Sequence, residues 1–503
     1  MLKKLALLPM LLAPLLAGAT TPSPAALATA QHALATYKVD VVDSLARMVR
    51  FNTVADPAQP FESNPQQQGF KRLMKQEAAR LGLDFQDHGM VMVIGLGQGS
   101  ERIGVITHGD VQPVDPSKWA RSPFELDRSS EPGRLIGRGA EDDKGPIATA
   151  LYAMKAIKDQ NLGLRKRIEL YVYMAEESDW DPLEAFLKDH TPPQMNITLD
   201  SEYPVVTAEK GYGSVKVTMP APAGAPPLLP APSGPRLLTF KGGFFNSQIP
   251  EDASAAIMDA TPELEARIRQ RAAGQKGMRY QFTREKDVLT VSARGLSAHS
   301  SKPEDGVNAI SMLADALAVR SWEGTPAASM VNFLNELVGT GLYGERFGAI
   351  AYGESFMGPM TFAPTVLKQA AEGLQLNINL RRPRGKSSEE LSQQLTAAFD
   401  AWKVQRAPQS SMSAEIHDPW IQGSAPQVPT LLNVFSHYTG IANPQPVAIG
   451  GGTNSRMFPH AVSFGPAMPG TVYSGHSEHE FITEKQLLLN LQMYTAALVE
   501  MAR

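Results

Sequence analysis

The sequence predicts an α/β fold with a mixed, largely parallel sheet, interrupted by an inserted α+β domain. Three observations carry that reading. Short apolar runs alternate with amphipathic helical segments through the first 209 residues, which is the order of a parallel sheet built from strand–helix–strand units. The texture changes after "EKGYGSVKVTM", and strands and helices mix differently from there to about Gly385. The tail then returns to the opening pattern, so the first fold is split around the second.

Taken in order, the chain starts with Lys3 and Lys4, an apolar run from Leu5 to Leu16 and the small residues Ala17-Gly18-Ala19, which together read as a secretory signal peptide over residues 1–19. Its apolar core of 12 residues falls short of the roughly 20 that a membrane span needs, so no membrane anchor is expected. The expected destination is a bacterial periplasm or the medium. The Pro/Ala-rich stretch over 20–35 reads as a linker. "VDVVDSLARMVRF" and "GFKRLMKQEAARLGL" read as helices and "RIGVITHGD" as a strand. "GPIATALYAMKAIKDQNL" is a helix with Ile147, Leu151 and Met154 on one face, and "RIELYVYMAEES" is another strand. Pro220 to Leu238 holds seven prolines and reads as a loop. The last helix begins with Thr483 and Gln486 at capping-box spacing and keeps Leu487, Leu491, Tyr494 and Leu498 on one face.

Composition narrows the function. The 503 residues carry a net charge of only −4 and no basic run, so no nucleic-acid partner is indicated and small molecules are the expected ligands. There are no cysteines, which excludes disulfides, a thiol nucleophile and thiolate metal sites.

Three apolar runs end in acidic or imidazole groups: "GVITHGD" at His108 and Asp110, "LYVYMAEES" at Glu176 and Glu177, and "NITLD" at Asp200. In open α/β sheets, ligands bind beyond the carboxyl ends of the strands. Asp142, in "RGAEDDKG" at the start of a helix, joins them on the same edge. So many carboxylates in one place repel one another unless cations sit among them. Nitrogen and oxygen donors without sulfur suit Zn2+, with Mn2+ or Co2+ as alternatives.

"HGDVQPVDPSKWARSPF", "GRGAEDDKGP", "MAEES", "LDSEYPVVTAEKG", "GLSAHSSKPEDGVNAI", "IGGGTNSRMFP" and "GHSEHEF", in that order, resemble the co-catalytic zinc peptidase family of carboxypeptidase G, aminoacylase and the dipeptidases. "LDSEYPVVTAEKG", the long insert and "NINLRRPRG" are most similar to its peptidase-V-type dipeptidases. The resemblance implies two Zn2+ ions, with His108 and Asp200 on one, Glu177 and His476 on the other, and Asp142 bridging both. It implies Glu176 as general base and Asp110 as the carboxylate that orients His108. From the insert, it implies His299 as the donor to the tetrahedral oxyanion, and Asn246 and Arg381 as substrate-binding groups, Arg381 clamping a C-terminal carboxylate. Gly451, Gly452 and Thr453 would bring backbone amides to the same carboxylate. Glu141 and Asp143 are left as solvated neighbours of Asp142, their charge offset by Lys144. His479, three residues after His476, is an alternative ligand, with Glu480 as an orienting partner. "SDW" stands where relatives often have glycine after the paired glutamates.

The resulting domain plan is a catalytic domain over 36–209 and 386–503, interrupted by a lid over 210–385. Its length implies a monomer whose own lid supplies His299. The expected function is a secreted dipeptidase acting on small peptides. An N-acyl-amino-acid deacylase or carboxypeptidase with the same metals is one alternative, and a non-catalytic binding protein on the same fold is another.

Overall fold

The computed structural model describes residues 21–220 and 234–503. The signal-peptide reading and most of the proline-rich segment therefore lie outside the described residues.

The central strands of the main sheet are buried on both faces, as their near-continuous apolar sequences require. Arg102–His108 pairs in parallel with Arg167–Tyr173 on one side and Met195–Thr198 on the other, and Ala461–Ser463 extends the parallel core. The flanks are antiparallel: Val91–Leu96 and Asp84–His88 at one side, Val206–Glu209 and Trp420–Ile421 at the other. Alternate residues serve opposite faces. Ile103, Val105, Leu170 and Val172 join the larger core under the helices Pro24–Val49, Lys144–Asp159 and Glu484–Ala502, while Ile106, Tyr171 and Tyr173 meet Leu183 and Phe458 on the other side.

Most of the stretch expected as a linker over 20–35 is helical. From Pro24 onward it is the first turns of a 26-residue helix, capped by the Ser23 hydroxyl, with Pro24 in the first turn where its missing N–H costs nothing. Ala26, Ala30 and Ala33 share one face and are fully buried, so the small residues that suggested a linker are a close-packing seam.

The lid is an eight-stranded, wholly antiparallel sheet. It runs Arg279–Glu285, Val288–Arg294, Asp252–Met258, Arg236–Gly242, Thr361–Ala370, Gly373–Arg382, Gly211–Pro220, Ser411–Ile416. Its C-terminal boundary lies beyond the expected 385. Helix Ser388–Arg406 puts Leu391, Leu395, Phe399 and Trp402 into the lid core, and Ser411–Ile416 pairs with Gly211–Pro220 before Trp420 rejoins the main sheet.

The final helix starts at Thr483, whose hydroxyl accepts from Gln486 N at 3.0 Å. The Gln486 side chain donates its amide N–H groups to Pro466 O and Asn490 Oδ1, which ties the helix start to Pro466. No described helix is long and apolar enough to cross a membrane.

Candidate active site

The ends of the parallel strands and the inner face of the lid enclose a cavity of about 940 Å³. Asp142, Glu176, Glu177, Asp200 and His476 line it from the catalytic side, and Asn246, His299 and Arg381 from the lid.

His108 closes its strand and is buried. Its Nδ1 lies 3.1 Å from the Asp110 carbonyl oxygen, which sets that nitrogen as the donor and leaves Nε2 to face Asp142 Oδ1 at 2.9 Å and Asp200 Oδ2 at 3.7 Å. Asp142 turns its other oxygen to His476 Nε2 at 3.3 Å, so one carboxylate spans the two imidazoles. His476 Nε2 also meets Glu177 Oε1 at 2.9 Å. The structure thus brings together the five residues expected to hold metal.

Asp110 differs from expectation in detail. It orients His108 chiefly through its carbonyl, with the carboxylate 3.4 Å from Nδ1. That carboxylate accepts from the backbone N–H groups of both Glu176 and Glu177, at 3.0 and 3.1 Å, and so holds the turn where the strand has ended.

The electrostatics fit a cation-binding group. Burial opposes charge on His476, but Glu177 and Asp142 push it up to about 10. Burial, then Asp142, pushes Asp200 up to about 7. Burial and the neighbouring Asp200 raise Glu176 well above the ordinary carboxylate range, and its Oε1 is a buried acceptor with no hydrogen-bond partner among the described residues. His108 is likewise pushed well above its usual value, against its burial, by Asp200, Asp110 and Asp142. Carboxylates retaining protons and imidazoles drawn into their charged form both reflect crowded negative charge, which a divalent ion would relieve while displacing those protons. Each of two triads, His108–Asp142–Glu177 and His108–Glu176–Asp200, offers donor atoms within 4.8 Å of one another.

The acidic run is not partly solvated. Glu141, Asp143 and Lys144 are all buried. Glu141 Oε2 accepts from Ser474 N and Oγ at 2.7 and 2.6 Å, tying the Asp142 loop to the loop that carries His476. Asp143 Oδ2 accepts from His108 N at 3.1 Å, and Lys144 Nζ donates to Phe51 O at 2.8 Å rather than offsetting its neighbours. Burial drops Lys144 to about 7.

His479 is half exposed and pairs with Glu131, away from the cavity. Glu480 is not its orienting partner. It is fully buried, pairs with Arg138 at 2.8 Å, and accepts from the N–H groups of Gly139, Glu141 and Asp142.

On the lid side, His299 Nδ1 accepts from Ser301 N at 3.1 Å, so the neutral ring carries its proton on Nε2 as a donor. Burial, reinforced by His476, holds its pKa well below the usual value and keeps the ring neutral. Arg381 is buried with its Nε on Asn379 Oδ1 at 2.9 Å and its guanidinium 5.0 Å from the Tyr212 ring. Among the described residues it has no carboxylate partner, whereas Arg382 is tied to Asp418. Asn246 accepts from Asn377 Nδ2 at 3.0 Å. Gly451 and Gly452 face the cavity, but Thr453 serves its wall: both its N–H and its hydroxyl donate to buried Glu209, at 3.2 and 2.6 Å.

Sequence reasoning missed several supports. Gln112 donates to Glu177 Oε2 at 2.8 Å, and Tyr473 donates to Asp142 Oδ2 at 2.6 Å. Trp180, in the "SDW" departure, donates its indole N–H to the carbonyl of Glu176 at 2.6 Å; Arg456, 5.8 Å from its ring, pairs with Glu209 at 2.8 Å. An indole N–H four residues after the expected base, one turn away, was the signal for Trp180, but no spacing rule marks the others.

Fold and site together define a hydrolase built to gather cations under a lid. The profile of Peptidase family M20/M25/M40 matches residues 104–500, and the chain belongs to this family of metallopeptidases. YtjP of Bacillus subtilis (strain 168) is 29% identical over 482 residues, covering 93% of this chain and 98% of its own. The Beta-Ala-Xaa dipeptidase of Lactobacillus delbrueckii subsp. lactis is 28% identical over 414 residues, covering 82% and 84%. Among solved structures, human carnosine dipeptidase 1 shares the fold with a TM-score of 0.59 at 14% identity, over 96% of this chain and 99% of that one.

Proposed function

We propose that the protein is a two-zinc dipeptidase. The observation that carries this reading is Asp142, which presents one oxygen to each of two imidazoles; it shares a cavity with Glu176, whose Oε1 has no hydrogen-bond partner among the described residues, and with Arg381, which has no carboxylate partner among them. The Beta-Ala-Xaa dipeptidase among its relatives supports the substrate class. His108 and Asp200 would hold one ion, Glu177 and His476 the other, with Asp142 shared. The ions, when bound, supply Lewis acidity at the scissile carbonyl and lower the pKa of water.

The chain's own groups do the rest. Glu176 Oε1 takes a proton from the attacking water and returns it to the departing amine. The His299 Nε2–H donates to the developing oxyanion. The guanidinium of Arg381 accepts the substrate's terminal carboxylate in a wall completed by Asn246, Gly451 and Gly452, while Thr453 anchors the glycine turn to Glu209. Because His299 reaches this cavity from the same chain, the active unit is a monomer. Export to the periplasm or medium is part of the proposal, supported by the charged, apolar and small-residue succession over 1–19.

The decisive measurement compares turnover of an Ala-Xaa dipeptide with that of its N-acetylated form by the purified, zinc-loaded protein. Hydrolysis confined to the free-amine substrate is expected. Preference for the blocked substrate would assign a deacylase instead, and failure to bind zinc or cleave either would leave a binding protein.

A further inference from the structure

The lid reaches the metal-binding residues by a second route besides His299. Gln248–Ile249 and Ala298–His299 form a two-stranded antiparallel ribbon in which Gln248 stands opposite His299. From that ribbon the buried Gln248 side chain donates its amide N–H to the carbonyl of His476 at 2.8 Å. The neighbouring Ser247 carbonyl lies 3.4 Å from His476 Nδ1. His476 has φ +66°, the left-handed conformation that residues with a side chain rarely adopt, so its backbone needs external support.

The ring needs support too. For His476 Nε2 to offer a lone pair to a cation shared with Glu177, the proton must sit on Nδ1, and the acceptor beside that nitrogen is the lid's Ser247 carbonyl. His108 is served differently: its Nδ1 acceptor, Asp110 O, is two residues away on its own domain. One imidazole is therefore oriented within the catalytic domain and the other by the lid.

We infer that Ser247 and Gln248 are positioning groups that complete the ion site at His476 and Glu177 only when the lid is closed, coupling lid closure to binding at that site and not at His108 and Asp200. The inference rests on the two-zinc reading above. Coupling of this kind is reciprocal: an ion at His476 holds the lid down by as much as the closed lid tightens the ion. It thereby also fixes His299, whose ring centroid is 4.5 Å from that of His476.

The test is zinc titration of the full chain against a competing chelator, for the parent and for Gln248→Met, which keeps side-chain length and loses the donor. The parent should bind two ions. In the variant one affinity should fall about 10-fold or more, the usual cost of removing an outer support of a ligand, while the other holds. Activity lost at limiting zinc should return with excess zinc, at unchanged KM. Hydrogen exchange on the unmodified protein gives a second arm that needs no variant, with zinc expected to protect the amides over 246–249. Two unchanged affinities in the variant, equal weakening of both, or exchange at 246–249 indifferent to zinc would each overturn the coupling. A parent protein that binds no zinc would remove the two-zinc reading itself, and the coupling with it.

Discussion

His108 and His476 turn the same ring nitrogen to the same carboxylate, yet they are supported in opposite ways. His108 ends a central strand buried on both faces, and its backbone N–H and its Nδ1 are both satisfied by residues of its own domain. His476 sits on a loop in a left-handed conformation, held by Glu141 through Ser474 on one side and by the lid on the other. The strand-end half of the site is thus set by the fold of one domain, whereas the loop half also takes supports from the lid. A parallel sheet delivers groups to its carboxyl edge without further help; a group that must also meet a lid needs supports from both bodies.

The largest expected effect comes from the strand-end half. In the proposed mechanism Glu176→Gln removes the proton acceptor and leaves the proposed ligands in place, so kcat should fall by at least ~10²-fold with zinc content unchanged. Near-normal turnover would refute the assignment of Glu176. On the lid half, His299→Ala should lose roughly 10²-fold in kcat, again with both ions retained, because it removes one preorganised donor. If His299→Ala instead lost zinc, the ring would be a ligand or a structural prop, and the division of labour between the two halves would fail.

Much of this was legible in the sequence because the strand-end residues are short, local signals. His108 ends, and Glu176, Glu177 and Asp200 follow, short apolar runs whose length and β-branched content suit buried strands. What was not legible depended on contacts between distant segments. Glu480 reads as a neighbour of His479, but its carboxylate organises the Gly139–Asp142 loop from more than 300 residues away in sequence. Glu141, Asp143 and Lys144 read as a solvated run because charge alone carries no information on burial. The lid's far boundary lies beyond its expected place because an amphipathic helix such as Ser388–Arg406 shows that it has a buried face without showing which sheet covers it. The first turns of the opening helix read as a linker because alanines contribute little hydrophobic signal, even where their small size is what allows helices to approach.

Support within the catalytic domain makes a smaller and separable prediction. Trp180→Phe keeps an aromatic ring and removes the donor to the Glu176 carbonyl. A single net hydrogen bond amounts to about 1 kcal/mol, so kcat should fall roughly five-fold, with KM and zinc affinity unchanged. A change in KM alone would place Trp180 on the substrate rather than behind the base.

The smallest effect concerns the tie between the two halves. Burial, partly offset by Ser474, pushes Glu141 up to about 8 from an ordinary value of 4.5. The folded protein then binds this proton more tightly than the unfolded chain does. The resulting stability is fully present below about 4.5 and is lost as the pH rises toward about 8. Glu141→Gln keeps an acceptor for Ser474 and removes the titration. In denaturant titrations of the metal-free proteins, the parent should therefore lose stability relative to the variant between those values, with a slope approaching about 1.4 kcal/mol per pH unit. Adding zinc should narrow the difference, because a cation on the adjacent Asp142 favours the ionised glutamate. Parallel stability profiles would mean that Glu141 reaches solvent when the loops move. The tie between the Asp142 and His476 loops would then be too loose to align the two imidazoles on one carboxylate.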